Sequence, residues 1–409
     1  MRQVPKQLIS FRFIFPFFFV IAIDAMCHGI TTPVLAPLML KASGTAFGLP
    51  LNTHIRHLMY GVIQMSATFC YMLAAPILGY VSDRFGRRRT IIYCLTGSLV
   101  GLLGYALSFQ WNNLALLLLA RVIVGFSTAS LAIAQSAIAD VSVGKEKAKN
   151  IGLIAMAMTI GLVAGPLLGG ILSDTTVFHQ FTNATPFYVA VALSLVNLVC
   201  LIQMTKKHKD NLPKHTFTFA ACINELLKSA PLRLLLMTFL CFELAWSLYF
   251  QSLAILLVQN FQLDNKFIGL FCAYVGLVLS LSLFYGVKLV IHYFELANVI
   301  LPCFVMGMIA LLFGFYFNGL WVQMIIAIPV ALMVGLCYAT LVTLASDYAG
   351  KNKQGILMGA TDSLLALAFT ITAFLGGILT VTNALLPELV AAGFLLLAGI
   401  CFWRFRGVA

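Results

Sequence analysis

Charge is scarce in this sequence. Asp, Glu, Lys and Arg together make up 9% of its 409 residues, against about a quarter in a water-soluble domain. With 61% of residues hydrophobic, no soluble core could hide so much apolar surface, so lipid must solvate most of the chain. Acid is scarcer than base: 13 Asp and Glu stand against 25 Lys and Arg, a net charge of +12. A nucleic-acid partner does not follow, because the basic residues sit in short stretches between apolar runs. The 10 cysteines include no C-x-x-C pair and no two in one outer segment, which excludes a zinc or disulfide framework. H-E-x-x-H, G-x-S-x-G and phosphate-binding glycine loops are also missing, so neither an enzyme nor ATP drive is expected, and no cofactor.

What is present is a succession of long apolar runs. A spanning helix takes roughly 20 apolar residues, which predicts about twelve spans. They fall at 12–33, 57–80, 90–109, 114–140, 148–173, 186–204, 232–258, 267–290, 296–317, 320–345, 354–380 and 384–403. The first, FIFPFFFVIAI after Arg2, Lys6 and Arg12, has a signal-peptide outline. No small-residue cleavage site follows cleanly and the run continues through Asp24 into TTPVLAP, so it reads as a retained helix.

With the N-terminus inside, the inner segments collect nearly all the basic residues, among them Arg84, Arg87, Arg88, Arg89, Lys145, Lys206, Lys351 and Arg404. The outer segments hold only Lys41, Arg56 and Lys266. This asymmetry predicts that both termini face the cytoplasm. The longest polar stretch divides the chain into an N-terminal bundle at 1–204, a basic linker at 205–231 and a C-terminal bundle at 232–409. The linker's basic residues are suited to anionic lipid, or serve as a plain solvated connection. The expected fold is an all-α membrane protein whose two six-helix halves are related by pseudo-two-fold symmetry.

The most ordered motif is Gly79-Tyr-Val-Ser-Asp83-Arg84-Phe-Gly86-Arg87-Arg88-Arg89, in the inner loop between the second and third spans. Gly79 and Gly86 suit a tight turn and close backbone approach. A second motif is Arg121-x-x-x-Gly125 in the fourth span, running on to Asp140. A third is Gly161-Leu-Val-Ala-Gly165-Pro166-Leu-Leu-Gly169-Gly170 in the fifth. Small residues four apart let two helices approach closely, and Pro166 bends the helix.

These motifs resemble the signatures of the major facilitator superfamily, and the third resembles that of its drug:proton antiporters. The first span, Asp24-Ala-Met-Cys-His28-Gly with Pro33 beyond, is similar to the start of tetracycline:proton antiporters. The second half departs from the pattern: Gly286-Val-Lys288 lacks the Asp-Arg pair, and the acid nearest the ninth span is Glu295 at its inner end. The resemblance implies the major facilitator fold and transport by alternating access. It implies a cytoplasmic gate in which Asp83 clamps the inner end of the eleventh helix at Gly355 and Gly359, with Arg84 or Arg87 pairing Asp140. It also implies that Arg121 responds to protonation.

An ionisable group within a span is a functional candidate, because something must offset its desolvation. Asp24, Glu243 and Asp362 are the acids within spans; Asp174, Asp264 and Glu388 fall at or near the outer surface. His28 follows Asp24 by four residues, on the same helix face. Asp24 and His28 can pass a proton, or Asp24 can form a static ion pair with Arg121. Glu243 occupies the matching position in the seventh span. Trp246, Tyr249, Phe250 and Gln251 beyond it can line a cavity for a flat or amphipathic compound, or simply pack. The leading expectation is a monomeric, proton-coupled exporter of a small amphipathic or cationic compound in a bacterial inner membrane. Import of a nutrient or metal chelate on the same fold, and a transporter-like sensor, are the alternatives.

Overall fold

The structure is a computed structural model that describes residues 11–41, 47, 52–130, 132–134, 145–204, 229–287, 289, 293–349 and 354–408, without the side chains of 11–15, 83, 145–153, 155, 204 and 354–356. The described residues form a bundle of long helices: α1 Phe11–Leu40, α2 Thr53–Phe85, α3 Arg87–Gln110, α4 Leu114–Ser127, α5 Lys145–Leu172 and α6 Thr185–Met204, then α7 Ala230–Phe261, α8 Asn265–Leu281, α9 Leu296–Tyr316, α10 Leu320–Ala349, α11 Gln354–Thr382 and α12 Leu386–Arg406. Eleven are long and apolar enough to cross a membrane, and α5 contributes a shorter apolar stretch, Met156–Leu172. The chain is an integral membrane protein.

Local chemistry places the ends. Asn52 and Asn113 cap α2 and α4 by accepting from the N–H groups of Ile55 and Leu116 at 2.9 and 3.0 Å. Gly86, at φ 104°, makes the turn from α2 to α3 within one residue, and its N–H bonds the Ser82 carbonyl. The helix α1 runs past its expected end to Leu40, through Pro33 and Pro37; neighbouring helices make such prolines tolerable in lipid. The helix α7 begins at Ala230 with Pro231 in its first turn, where the missing N–H costs nothing. The last residues of the expected linker are therefore helical; 205–228 lie outside the described residues. A π-helical turn, Ser282–Gly286, ends α8, where the Ser282 hydroxyl donates to the Leu332 carbonyl of α10 at 3.0 Å.

The packing repeats after six helices. In the first half α1 packs on α5, α3 on α4 and α3 on α6; in the second α7 packs on α11, α9 on α10 and α9 on α12. The two main contacts between halves, α2 on α11 and α5 on α8, exchange under the same shift. That is the pseudo-two-fold relation. A continuous apolar core crosses from one half to the other, while Tyr93, Ile309, Trp321 and other large apolar side chains face outward, as a lipid-facing surface requires. Below, the proximal end is that of the α2–α3 turn and the distal end that of the α1–α2 connection.

Candidate functional site

Asp24 lies in mid-α1, 6% exposed, and accepts a hydrogen bond from the Ser130 hydroxyl beyond the end of α4. Arg121 of α4 is 3% exposed but does not pair with it. The guanidinium instead lies 5.9 Å from the centre of the Tyr105 ring, and its Nε and Nη2 have no hydrogen-bond partner among the described residues. His28 is exposed and within electrostatic reach of Arg121. Asp24 and His28 share the face their spacing predicts, yet no hydrogen bond joins them among the described residues.

In the second half Glu243 of α7 is 1% exposed, with Oε2 unpartnered among the described residues. It stands within electrostatic reach of Asp362 on α11, which is half-buried. Two tyrosines that the sequence does not single out connect these groups. Tyr338 of α10 is within electrostatic reach of Glu243, Asp362 and Tyr71. Tyr71 of α2 is within reach of both Asp362 and Asp24. The interior acids of the two halves thus share one neighbourhood. Neither tyrosine carries a sequence signal that separates it from the other aromatic residues of the spans.

The expected cavity residues are packed in this conformation. Trp246 and Tyr249 are buried, and Phe250 stacks on Trp246 with ring centres 5.1 Å apart. The Gln251 amide donates to the Phe369 carbonyl and the Thr372 hydroxyl of α11 at 3.1 and 2.9 Å. Thr372 bonds in turn to Ser247, whose hydroxyl donates to the Glu243 carbonyl. Trp246, Tyr249 and Phe250, at i, i+3 and i+4, share one face of α7, and Gln251 points to another. Gln251 ties α7 to α11. A groove between α9 and α10, lined by Pro302, Ile309, Phe313 and Pro329 among others, is apolar and holds none of the ionisable residues.

The halves close on each other at the distal end. His57 of α2, 1% exposed, meets the Thr380 hydroxyl of α11 at 3.0 Å and the Gln259 amide of α7 at 2.6 Å. Thr380 gives its own proton to the Gly376 carbonyl. His57 Nδ1 therefore donates to Thr380, and Nε2 accepts from Gln259. Lys41 at the end of α1 pairs with Asp264 before α8, and Arg56 donates to the Lys41 carbonyl at 2.9 Å. Asn265 of α8 donates to Ser173 and Asn183 of the first half at 2.9 and 3.1 Å. Glycine pairs seat the helices: Gly61 against Gly377, and Gly170 against Gly269.

The proximal end is different. A β-carbon on Gly79 or on Gly359 would meet no atom within 4 Å among the described residues. Gly79 lies inside α2, so it makes no turn and no close approach; the turn is made by Gly86 alone. The first turn of α11 carries Gly355. Arg87 donates to the Ser82 hydroxyl at 2.9 Å and Arg88 to the Ile202 carbonyl of α6 at 3.2 Å, while Arg84 is exposed over Phe85. The Asp83 side chain and all of Asp140 lie outside the described residues.

The glycine run of α5 serves two faces. Gly161, Gly165 and Gly169 lie against the α1 backbone from Ala22 to Pro33, and the Pro166 ring meets Gly29. Gly170 and the Pro166 carbonyl lie against Gly269 of α8, in the other half. The run therefore joins α1 to its own half and that half to its partner.

The model of the Major Facilitator Superfamily matches residues 17–372. Among curated proteins, "Tetracycline resistance protein, class C" of Escherichia coli is 31% identical over 46% of this chain and 44% of that protein. The match thus spans less than half of that relative's length. "Tetracycline resistance protein, class E" of Escherichia coli is 28% identical over 86% of this chain and 84% of that protein. The solved structure of the human organic anion transporter MFSD10 (TETRAN) superposes with a TM-score of 0.70 at 18% identity, over 97% of this chain and all of that one. At that identity the superposition shows the fold alone.

Proposed function

Because this chain belongs to the major facilitator superfamily, and is thus a membrane transporter and not an enzyme, we propose that it exports a small amphipathic or cationic compound in exchange for protons. The observation that carries this reading is the shared neighbourhood of Asp24 and Asp362, linked through Tyr71, with Glu243 beside Asp362. Acids enclosed by two halves that rock about them can exchange a proton for a cationic group, the two competing for the same carboxylates. Asp24 is the proposed proton site of the first half. Its partner is a hydroxyl, which can bond either protonation state. Arg121, with unpartnered nitrogens, and His28 beside it are the groups proposed to respond.

The basic residues near the proximal end support a cytoplasmic assignment of that end and of both termini. The conformation is then closed to the outside by the His57, Lys41 and Asn265 contacts. In the alternate conformation the motif from Gly79 to Arg88, with Asp140, would meet the start of α11 at Gly355 and Gly359. A bacterial inner membrane, a monomeric state and lipid contacts through the basic linker complete the reading. The resemblance to tetracycline antiporters implies an acid within the ninth span; here the nearest, Glu295, lies before α9 and accepts from Asn298, so a cationic compound is favoured over tetracycline.

Proteoliposomes loaded with a pH dye test the proposal, with a panel of cationic drugs, chelates and nucleosides and an imposed proton gradient. A compound that releases protons from wild-type vesicles, with the release lost in Asp24→Asn, supports antiport. Substrate and protons moving the same way would make the protein a symporter. Unchanged proton flux in Asp24→Asn would sink the role of Asp24.

A further inference from the structure

Glu388 has the shortest claim to attention in the sequence and the least explained position in the fold. It stands in the first turn of α12, expected at the outer surface, yet it is 3% exposed. Both of its carboxyl oxygens lack a hydrogen-bond partner among the described residues. Gln323 of α10 is completely buried within side-chain reach of it, with its amide nitrogen and oxygen equally unpartnered among those residues. Tyr249 of α7, 2% exposed and within electrostatic reach of Glu388, has an unpartnered hydroxyl there as well. Three helices thus bring their unused polar groups to one place inside the second half. Gly314 at the end of α9 has no β-carbon, and one would strike the Glu388 carboxyl.

We propose that Glu388, Gln323 and Tyr249 form a second proton-binding site, separate from the interior acids. Among the described residues no Lys, Arg, His or second acid faces it. The facing groups are Tyr249 and Ser252 from α7 and Gln323 from α10, with Cys272 and Tyr274 of α8 behind Tyr249. An uncompensated charge in such a place is costly. The void beside Glu388, between Tyr249, Ser252 and Pro387, is too narrow for a water molecule, so a hydrated cation has no room, and the few oxygens present are short of the roughly six that a bare hard cation takes. A proton needs no such space. Opposing this, Glu388 stands in the first turn of α12, where the positive end of the helix dipole favours the carboxylate. The opposition makes the site one that can exchange its proton when its surroundings change.

They change with the gate. Tyr249 shares α7 with Gln259, which holds His57 of the first half at the closed distal end. Opening that end frees α7 from α2 and shifts Tyr249 against Glu388. Proton loading at Glu388 is thereby tied to the distal gate. This part rests on the proton-coupled reading above; the existence of the site does not.

The test is infrared difference spectroscopy of the full chain in liposomes across a pH titration, comparing wild type with Glu388→Gln, Glu388→Asp and Gln323→Leu. Ethidium exchange against protons is measured on the same preparations. The expected result is a carboxylic-acid carbonyl band that titrates, is lost in Glu388→Gln, returns shifted in Glu388→Asp and moves in Gln323→Leu. Glu388→Gln should also move fewer protons per ethidium while still binding it. A Glu388 band that never titrates, with an unchanged proton-to-ethidium ratio, overturns the proposal and leaves a fixed structural acid. Absence of any band lost in Glu388→Gln overturns it too. If wild type moves no ethidium, the export reading fails for that probe, and the titration still decides the fate of Glu388. Should Glu388→Gln fail to fold, the shift in Gln323→Leu decides.

Discussion

Gly170 of α5 and Gly269 of α8 lie against each other across the two halves, and a β-carbon on either would run into the other's backbone. The contact sits at the distal end, where Asn265, at the start of α8, reaches Ser173. One glycine comes from the run that the sequence marks as a motif, the other from a helix with no motif. Their meeting ties the motif to the closure of one end of the bundle.

Substituting Gly269→Val should hold the distal end open. Overpacking of a tight contact costs about 1–3 kcal/mol, enough to shift a balanced equilibrium by tenfold or more, since about 1.4 kcal/mol is a factor of ten. Spin-label distances between α5 and α8 at the distal end should lengthen, and transport should fall. Unchanged distances would show that the glycine pair does not limit closure.

His57→Leu tests the polar part of the same closure. It removes the bonds to Thr380 and Gln259 while keeping an apolar filler, and each buried hydrogen bond contributes about 1 kcal/mol net. The open conformation should gain about tenfold or more in population. The Lys41–Asp264 pair is a contrast, because its side chains are 29% and 56% exposed. Exposed pairs contribute about 0–1 kcal/mol, so Asp264→Asn should move the same distances little.

Asp24→Asn and Ser130→Ala should separate proton binding from packing. The amide of Asn can still accept from Ser130, so the fold and substrate binding should survive while proton exchange is lost. Ser130→Ala removes the hydroxyl and should alter the pH profile of transport without abolishing it. Loss of folding in Asp24→Asn, read by thermal unfolding, would instead mark the residue as a packing group.

Asp174, in the connection after α5, gives a pH dependence with a definite sign. Burial works to raise its carboxyl, but the Thr176 side chain and N–H and the neighbouring Lys266 together hold it below its ordinary value of 3.8. Lys266 opens α8 in the other half, so the charged carboxylate favours the closed distal end. That contribution is fully present above the ordinary value and disappears as the pH falls through the lowered one. Acidification of the distal side below about 3.8 should loosen the closure in wild type and have a smaller effect in Asp174→Asn, where only the exposed Lys41–Asp264 pair is left to respond. The spin-label distances at the distal end, followed against pH, check this.

Part of the candidate site was legible in the chain. Asp24, Glu243 and Asp362 stand out because charge inside an apolar run is expensive and therefore rare. The run from Gly161 to Gly170 stands out because glycine four residues apart has a geometric meaning on a helix. Glu388 was not legible: beside Pro387 at the edge of a run it reads as a surface residue, and only the packing of α7, α9 and α10 over it buries it. His57 and Tyr71 were hidden in the same way, since a polar residue on a helix gives no sign of which helix it faces.

Solvent and approximate helix number were readable from the chain alone, because they follow from a local property, the length of each apolar run; the helix ends were not, as α1 shows by continuing to Leu40. Three of the interior acids, Asp24, Glu243 and Asp362, were readable in the same way. Only the tertiary structure decided which of them meet. The Asp24 carboxyl goes to Ser130 and not to Arg121, Gln251 goes to α11, and the distal glycines touch, while a β-carbon on Gly79 or Gly359 would meet no atom within 4 Å among the described residues. Those outcomes depend on how each helix is rotated and on which end of the two halves is closed, and both are set by contacts between residues hundreds of positions apart.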